Sequence, residues 1–235
     1  MTGKLYGVGI GPGDPELITI KAKRILGEAD VIAVPKTAAE KTSQALDIAG
    51  DVVEKGKELL ELLFPMSFDE EVLAKSWELA AAQIRDKLQK GLNVAFITLG
   101  DPTVYSTYMY IHKQLHREGY AAEIIPGIAS FCASAARAGI SLGENREAIA
   151  IIPSAYEFEN LERVLKTFDN VVLMKVSKSL SKLEEILKTE QLLDKSVLVS
   201  KCGMEDERIE FDWHSLTEEK TSYFSTIIVK KNGVR

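Results

Sequence analysis

The sequence predicts an α/β fold, with a mostly parallel sheet in its first half and a mixed sheet in its second half. Strand-like runs alternate with amphipathic helical stretches in the first half, and short glycine-rich turns separate them. The run NVAFITL at 93–99 is apolar almost throughout, as expected of a strand buried on both faces. With 235 residues, 46% of them hydrophobic, the chain can fill two compact cores, and we expect domains at 1–120 and 121–235.

The first domain alternates strands with helices. Apolar runs predict strands at 5–10, 31–34, 59–64, 93–99 and 122–126, and helical periodicity predicts helices at 15–27, 69–89 and 102–118. Two of these helices share a start signal. In Asp14-Pro15 and Asp101-Pro102 the carboxylate can cap the helix, while the proline takes the first helical position, where its missing N–H costs nothing.

The second domain begins with a helix of small residues, IASFCASAARAG at 128–139, which can lie close against another backbone. The remaining pattern predicts strands at 147–153, 170–176, 196–201, 207–216 and 223–231, and helices at 157–167 and 180–188. Few helices separate the last strands. We therefore expect antiparallel pairs in this sheet.

The glycine-rich stretch GVGIGPGDPEL near the start does not fit a dinucleotide-binding loop. In the pattern G-x-G-x-x-G, the third glycine position falls on Pro12, Asp14 or Glu16, depending on the register. Asp14 would also place a carboxylate at the positive start of the following helix, where an anion would otherwise bind. The stretch therefore needs an explanation other than phosphate binding.

Composition and charge exclude several classes of protein. The chain carries 29 basic and 35 acidic side chains, and its formal charge of -6 argues against sequence-independent binding of a nucleic acid. The first residues do not read as a secretory signal, and no apolar run reaches the roughly 20 residues that cross a bilayer. We expect a cytoplasmic protein that does not bind a membrane.

The cysteines and histidines do not predict a metal site. Cys132 and Cys202 belong to no CxxC pair and are expected to be unpaired packing residues. His112 and His116 are four residues apart on a predicted helix, but no third ligand lies near them, and His214 stands alone. No G-x-S-x-G elbow is present, so nucleophilic catalysis is not predicted either.

The turn LGD at 99–101 follows a predicted buried strand, and ligands of open α/β sheets bind outside such strand ends. Asp101 is either a helix cap or part of a ligand site, and the sequence supports both interpretations equally. Basic side chains near other predicted strand ends could pair with a ligand that bears carboxylates: Lys36, Arg137, Lys175 and Lys178.

Three motifs together resemble those of a known family. GIGPGDPEL at 9–17, LGDP at 99–102 and PGI at 126–128 are similar to the motifs of the tetrapyrrole methylases, the class III S-adenosylmethionine-dependent methyltransferases. The resemblance covers the whole chain. Within the family, VPK at 34–36 and GDPTVYSTYMYI at 100–111 look most like the C-20 methyltransferases that act on precorrin-2 or cobalt-factor II in cobalamin synthesis.

The resemblance implies a homodimer of subunits with two αβα domains, each around a mixed, mostly five-stranded sheet, and with the ligand cleft between the domains. The methyl donor, S-adenosylmethionine, would contact the following residues: Leu99, Gly100, Asp101, Val104, Ala129, Ser130, Met174, Gly203 and Thr226. The tetrapyrrole would lie beside Pro12, with Lys36 and Arg137 as further candidate contacts. No metal ligand is implied.

The implied reaction adds a methyl group to the C-20 meso carbon of precorrin-2 or of its cobalt complex. The sulfonium donor is already activated and the meso carbon is electron-rich, so positioning of the two reactants should dominate catalysis. The alternatives are another methyl acceptor within the family (another precorrin position, the diphthamide precursor or ribosomal RNA ribose), a nicotinamide oxidoreductase and a non-catalytic tetrapyrrole carrier.

Overall fold

The computed structural model describes residues 2–67, 69–153, 159–213 and 221–234. The chain divides into two compact units, Met1–Ala129 and Ser130–Arg235. Each unit contains one five-stranded sheet. The α/β class and the two sheets that the sequence predicts are therefore confirmed.

The sheet of the first unit is parallel throughout. Its strands are β1 (Leu5–Gly9), β2 (Val31–Lys36), β3 (Glu58–Leu63), β4 (Val94–Thr98) and β5 (Ala122–Ile125), in the order β3-β2-β4-β1-β5. All five residues of β4 are buried, because the strand lies at the centre of the sheet. The carboxyl ends of β1, β4 and β5 therefore lie side by side.

The helices of the first unit are α1 (Ile20–Glu28), α2 (Gln44–Ala49), α3 (Glu70–Gln89) and α4 (Tyr108–Arg117). The twenty-residue helix α3 is capped by Asp69, whose carboxylate accepts hydrogen bonds from the N–H groups of Glu71 and Val72. Helix α4 packs against α3, and its stripe of Tyr108, Ile111 and Leu115 is fully buried in the core. The helical spacing of Val104, Tyr108, Ile111 and Leu115 in the sequence predicts one buried stripe. This prediction is confirmed apart from Val104, which lies before the helix and is half-buried.

The second unit contains helices α5 (Ser130–Ala138), α6 (Leu161–Thr167) and α7 (Leu180–Thr189) and strands β6 (Ile149–Ile152), β7 (Asn170–Met174), β8 (Ser196–Ser200), β9 (Arg208–Glu210) and β10 (Ser225–Lys230). The sheet order is β6-β7-β10-β8-β9. Among the strands of the described residues, β6 and β7 pair in parallel, and the other pairs in this sheet are antiparallel. This is the mixed sheet that the late strands predict.

The helix predicted at 102–118 is wrong at its start. Helix α4 begins only at Tyr108, with Thr107 at the N-cap position, and the residues before it form turns in which Asp101 accepts hydrogen bonds from Thr103 and from Gly127 N. The helix predicted at 15–27 is a short 3-10 turn, Pro15–Leu17, followed by α1, for which Thr19 is the N-cap. Helix α2 was not predicted.

Other predicted features fall at the unit boundary or outside the described residues. The boundary predicted at residue 120 precedes β5, whereas the division lies after β5, since that strand pairs with β1. Residue 157, where a helix was predicted to start, and residues 214–216 of a predicted strand lie outside the described residues, as does His214.

Acid should weaken the first unit through Glu123 on β5. Its carboxylate accepts hydrogen bonds from Lys21 Nζ and Lys4 Nζ, each at 2.6 Å, and these bonds lower its pKa from 4.5 to about 2. The folded state then binds this proton less readily than the unfolded state, so the stabilisation present above the ordinary pKa is lost as the pH falls from about 4.5 towards 2.

We therefore expect E123Q to flatten the dependence of the unfolding free energy on pH in that window, measured by urea denaturation at several pH values. E16Q, at an exposed side chain of the Pro15–Leu17 turn, is the control and should follow the wild-type curve. An E123Q curve parallel to that of the wild type would contradict the assignment.

Candidate functional site

The three segments that carry the family resemblance meet at one edge of the first sheet. In the parallel register Gly9 lies beside Thr98, the last residue of β4, and Val8 lies beside Ile125, the last residue of β5. The segments LGD and PGI follow β4 and β5 directly, and GPGD follows β1 after one residue, Ile10. This edge is where ligands of open α/β sheets bind.

The backbones of the first two segments are joined. Gly100 N donates to Gly11 O at 2.8 Å, and Gly11 N donates to Gly100 O at 3.3 Å, forming an isolated antiparallel bridge. Both glycines have positive φ, 78° at Gly11 and 66° at Gly100, a conformation that other residues adopt only at a cost. The glycine-rich stretch thus serves the close approach of two backbones.

Gly9 and Gly127 lie so close to neighbouring backbone that no side chain fits at either position. A Cβ at Gly9 would lie 2.6 Å from Gly100 O, and a Cβ at Gly127 would lie 2.2 Å from the same oxygen. Real Cβ atoms do not approach an oxygen so closely, and the obstacle is backbone, which has no rotamer to change. Bare backbone of all three segments therefore meets at this edge.

Asp101 connects the second segment to the third. Its Oδ1 accepts from the backbone N of Thr103 at 2.8 Å and from Thr103 Oγ1 at 2.5 Å, and its Oδ2 accepts from Gly127 N at 3.0 Å. The carboxylate therefore holds the LGD turn and the PGI turn together. The helix-cap interpretation of Asp101 is wrong, since α4 begins only at Tyr108, and its role in a ligand site stays a prediction.

The other predicted residues of the first unit lie around this edge. Leu99 directly follows β4 and is half-buried, and Pro12 is buried within the GPGD segment. Asp14 accepts a hydrogen bond from Glu16 N at 2.8 Å and so caps the Pro15–Leu17 turn, as its motif predicts. Ala129, after the PGI turn, is half-buried.

Lys36, predicted to contact the tetrapyrrole, has partners within the protein. Its Nζ donates to Ala39 O at 2.8 Å and pairs with Glu61 Oε2 at 3.1 Å, and only 12% of its side chain is exposed. A ligand carboxylate at this position would compete with Glu61. The role predicted for Lys36 stays a prediction.

In the second unit, Met174 and Thr226 lie side by side. Thr226 of β10 is the register partner of Met174 on β7 and of Val199 on β8, so β10 begins where the other two strands end. The residues that follow those strands, Lys175 and Lys201, both have left-handed backbones, with φ of 57° and 51°. Such strained positions concentrate at functional sites.

These two lysines are also fixed by hydrogen bonds to the start of β10. Lys175 N donates to Ser225 O at 3.1 Å, and Lys201 N donates to Phe224 O at 3.0 Å. The Nζ of Lys175 lies 5.6 Å from the centre of the Tyr223 ring, a cation–π contact. Gly203 follows Lys201 in the same turn, so Met174, Gly203 and Thr226 are brought to one edge of the second sheet.

Sequence reasoning missed Glu207. Its Oε2 accepts from Gly203 N at 2.7 Å, and both of its carboxylate oxygens accept from Arg137, with contacts of 2.6 to 3.1 Å. Burial raises the pKa of Glu207, but the hydrogen bonds from Arg137 and Gly203 outweigh it, so the pKa is lowered. No local pattern could reveal this link, because Arg137 is 70 residues away in sequence.

No group of three or more His, Cys, Asp or Glu side chains in the described part of the chain could hold a metal ion. His112 and His116 stack on each other with ring centres 5.8 Å apart, and His112 Nδ1 lies 3.0 Å from Tyr108 Oη. Cys202 is buried as expected, whereas Cys132 is exposed, and both are free. Within the described ranges no helix has the length and apolar character needed to cross a bilayer.

The comparison with known families agrees with this geometry. Residues 4–212 match the sequence model of the family described as Tetrapyrrole (Corrin/Porphyrin) Methylases. The chain belongs to this family. The predicted resemblance to this family is thereby confirmed.

Relatives of this methylase include two proteins of matching length. It is 38% identical over 231 residues to the "Probable cobalt-precorrin-2 C(20)-methyltransferase" of Methanocaldococcus jannaschii, covering 97% of this chain and 96% of the relative. It is 34% identical over 232 residues to the "Cobalt-precorrin-2 C(20)-methyltransferase" of Salmonella typhimurium, covering 98% of each.

A solved structure shares the fold over nearly the whole chain. The X-ray structure of a cobalamin biosynthetic enzyme, cobalt precorrin-4 methyltransferase, has a TM-score of 0.75 and 26% sequence identity to this methylase. The match covers 97% of this chain and 94% of that one. The expected tetrapyrrole methylase fold is confirmed.

Proposed function

We propose that this methylase transfers a methyl group from S-adenosylmethionine to C-20 of cobalt-precorrin-2 in corrin ring biosynthesis. The observation that carries the proposal is the pair of relatives named for this reaction, at 38% and 34% identity over almost the full length of each protein. The names of both relatives specify the cobalt complex, which favours it over metal-free precorrin-2. Cobalt would then belong to the substrate.

The position of the described turns supports a donor site here, because ligands of open α/β sheets bind outside the carboxyl ends of the strands. S-adenosylmethionine carries carboxylate, ammonium, ribose and adenine groups, which need both donors and acceptors. At the edge of the first sheet the turns at Gly9, Gly100 and Gly127 pack backbone against backbone, so an added side chain would displace a turn and any ligand that the turn holds. We propose that the donor is held by the residues that the family resemblance implies: Leu99, Gly100, Asp101, Val104, Ala129, Ser130, Met174, Gly203 and Thr226.

When bound, the donor supplies an activated methyl group on its sulfonium. The contribution of the chain is to orient and hold its ligands, and good orientation of two reactants can lower a barrier by about 7 kcal/mol or more. The hydrogen bonds that Asp101 accepts from Thr103 and Gly127 serve this purpose, because they fix the LGD turn and the PGI turn relative to each other. Pro12, Lys36 and Arg137 stay predicted contacts of the tetrapyrrole, and the homodimer stays a prediction.

The test is a transfer assay with methyl-labelled S-adenosylmethionine and either cobalt-precorrin-2 or precorrin-2, with uroporphyrinogen III as a control acceptor. Mass spectrometry should find one added methyl group on the cobalt complex, and NMR should locate it at C-20. We expect the cobalt complex to react more than about tenfold faster than precorrin-2, a discrimination of about 1.4 kcal/mol. A methyl group at another position, or pigment binding without transfer, would overturn the proposal.

A further inference from the structure

The turn after β8, at residues 201–207, has an unusual backbone conformation. Lys201 has φ of 51° and Gly203 has φ of 76°, so the backbone takes two left-handed residues within three positions. Inside the turn, Met204 N donates to Lys201 O at 2.9 Å and Glu207 N donates to Met204 O at 3.1 Å. A turn with this backbone persists only where its surroundings hold it in place.

Glu207 supplies that support. Only 12% of its side chain is exposed, and its Oε2 receives the N–H of Gly203 at 2.7 Å. Arg137 faces the same carboxylate, with Nε 2.8 Å and Nη2 2.6 Å from Oε1. Arginine paired through two nitrogens fixes a carboxylate in direction as well as in position.

Arg137 connects the turn to helix α5. Ser130, Ser134 and Arg137 are spaced by four and three residues, so they lie on one face of that helix. Ser134 is buried and hydrogen-bonds to the thiol of Cys202, and Arg137 pairs with Glu207. The face that begins with Ser130 is therefore attached to the Gly203 turn at two further places.

We propose that Glu207 and Arg137 are positioning residues that hold the turn at Gly203 against helix α5, and thereby present Gly203 and Ser130 to the methyl donor. The inference rests on the proposed function, because it takes Gly203 and Ser130 as donor contacts. Arg137 then acts through Glu207, whatever contact it makes with the tetrapyrrole. The affinity for S-adenosylmethionine should therefore depend more strongly on Arg137 and Glu207 than the affinity for the tetrapyrrole does.

The test uses E207Q and R137M in the full chain. Calorimetric titration with S-adenosylhomocysteine should show affinity reduced at least about tenfold in E207Q, because a hydrogen bond to a charged group is lost and Gly203 N loses its carboxylate acceptor. Amide hydrogen exchange of the peptide over 201–207, without ligand, should become faster in both variants. The KM for the tetrapyrrole should change less than the KM for S-adenosylmethionine.

E118Q is the matched control. Arg85 also holds a carboxylate through Nε and Nη2, with Nε 2.6 Å from Glu118 Oε2 and Nη2 2.7 Å from Oε1, but Glu118 lies at the C-terminal end of α4, whereas the LGD turn precedes that helix. E118Q should leave the affinity for S-adenosylhomocysteine within about twofold of wild type, as expected when only a surface ion pair is lost. If E207Q does not fold, R137M and the milder R137K carry the test.

The outcomes separate the inference from the proposed function. Wild-type protein that gives no heat with S-adenosylhomocysteine contradicts the proposed function. Wild-type protein that binds, with E207Q and R137M binding equally well, overturns the inference while the function stands. An R137M variant that loses only tetrapyrrole affinity also overturns it, since Arg137 would then be a direct substrate contact.

Discussion

The variant G127A is expected to lose donor binding and to destabilise the first unit by about 3 kcal/mol, the upper range for forcing extra volume into a packed site. The added Cβ would lie 2.2 Å from Gly100 O and 2.8 Å from the Cα of Gly9. Both obstacles are backbone atoms, so relief requires one of the three turns to move. The free energy of unfolding from urea denaturation and the affinity for S-adenosylhomocysteine measure the two effects.

G27A is the control for this substitution. Gly27 lies in helix α1, and a Cβ there would meet only Glu54 Oε1, at 3.9 Å. Alanine is the better helix former, so G27A should be neutral or stabilising by up to about 1 kcal/mol. If G127A matched G27A in both measurements, the crowding of the turns would play no part in the site.

The variant D101N should be the second most damaging substitution. The native carboxylate receives three hydrogen bonds on its two oxygens, from Gly127 N and from the N–H and hydroxyl of Thr103. An amide offers one oxygen only, and its NH2 group would face a donor. We expect a loss of about 2 kcal/mol in unfolding free energy and of at least about tenfold in affinity for S-adenosylhomocysteine.

D14N provides the comparison within the same chain, because Asp14 occupies the same position in the other Gly-Asp-Pro motif. Among the described residues its carboxylate receives one hydrogen bond, from the N–H of Glu16 in a local turn, and asparagine caps such turns about as well as aspartate. D14N should therefore cost less than about 1 kcal/mol. Equal losses in D14N and D101N would show that the bond from Asp101 to Gly127 does not hold the two turns together.

Much of the fold could be predicted because it depends on local pattern. Strands β2, β4 and β8 are short runs of buried apolar residues, and helix α3 has both a capping aspartate and twenty residues of helical periodicity. The sheet edge of the first unit was also predictable, since parallel strands must end together. The LGD turn was placed at that edge from the sequence alone.

The rest of the site depends on contacts between distant residues. The two Gly-Asp-Pro motifs look alike, yet Asp14 caps a local turn while Asp101 binds Gly127, 26 residues away. The pairing of Arg137 with Glu207 is equally invisible in local pattern, because both side chains resemble ordinary surface charges. Tertiary hydrogen bonds of this kind override the local preference for a helix cap at Asp101.

The order of strands in the second sheet affects how this unit can fold during synthesis. Strand β10 follows all the others in sequence but lies between β7 and β8. A nascent polypeptide emerging from the ribosome can complete the first sheet once β5 is available. Until β10 emerges, β7 and β8 each lack the strand that pairs with them at the centre of the second sheet. A ribosome that stalls before Ser225 would therefore leave one edge of β7 and one edge of β8 unpaired and exposed to chaperones and proteases.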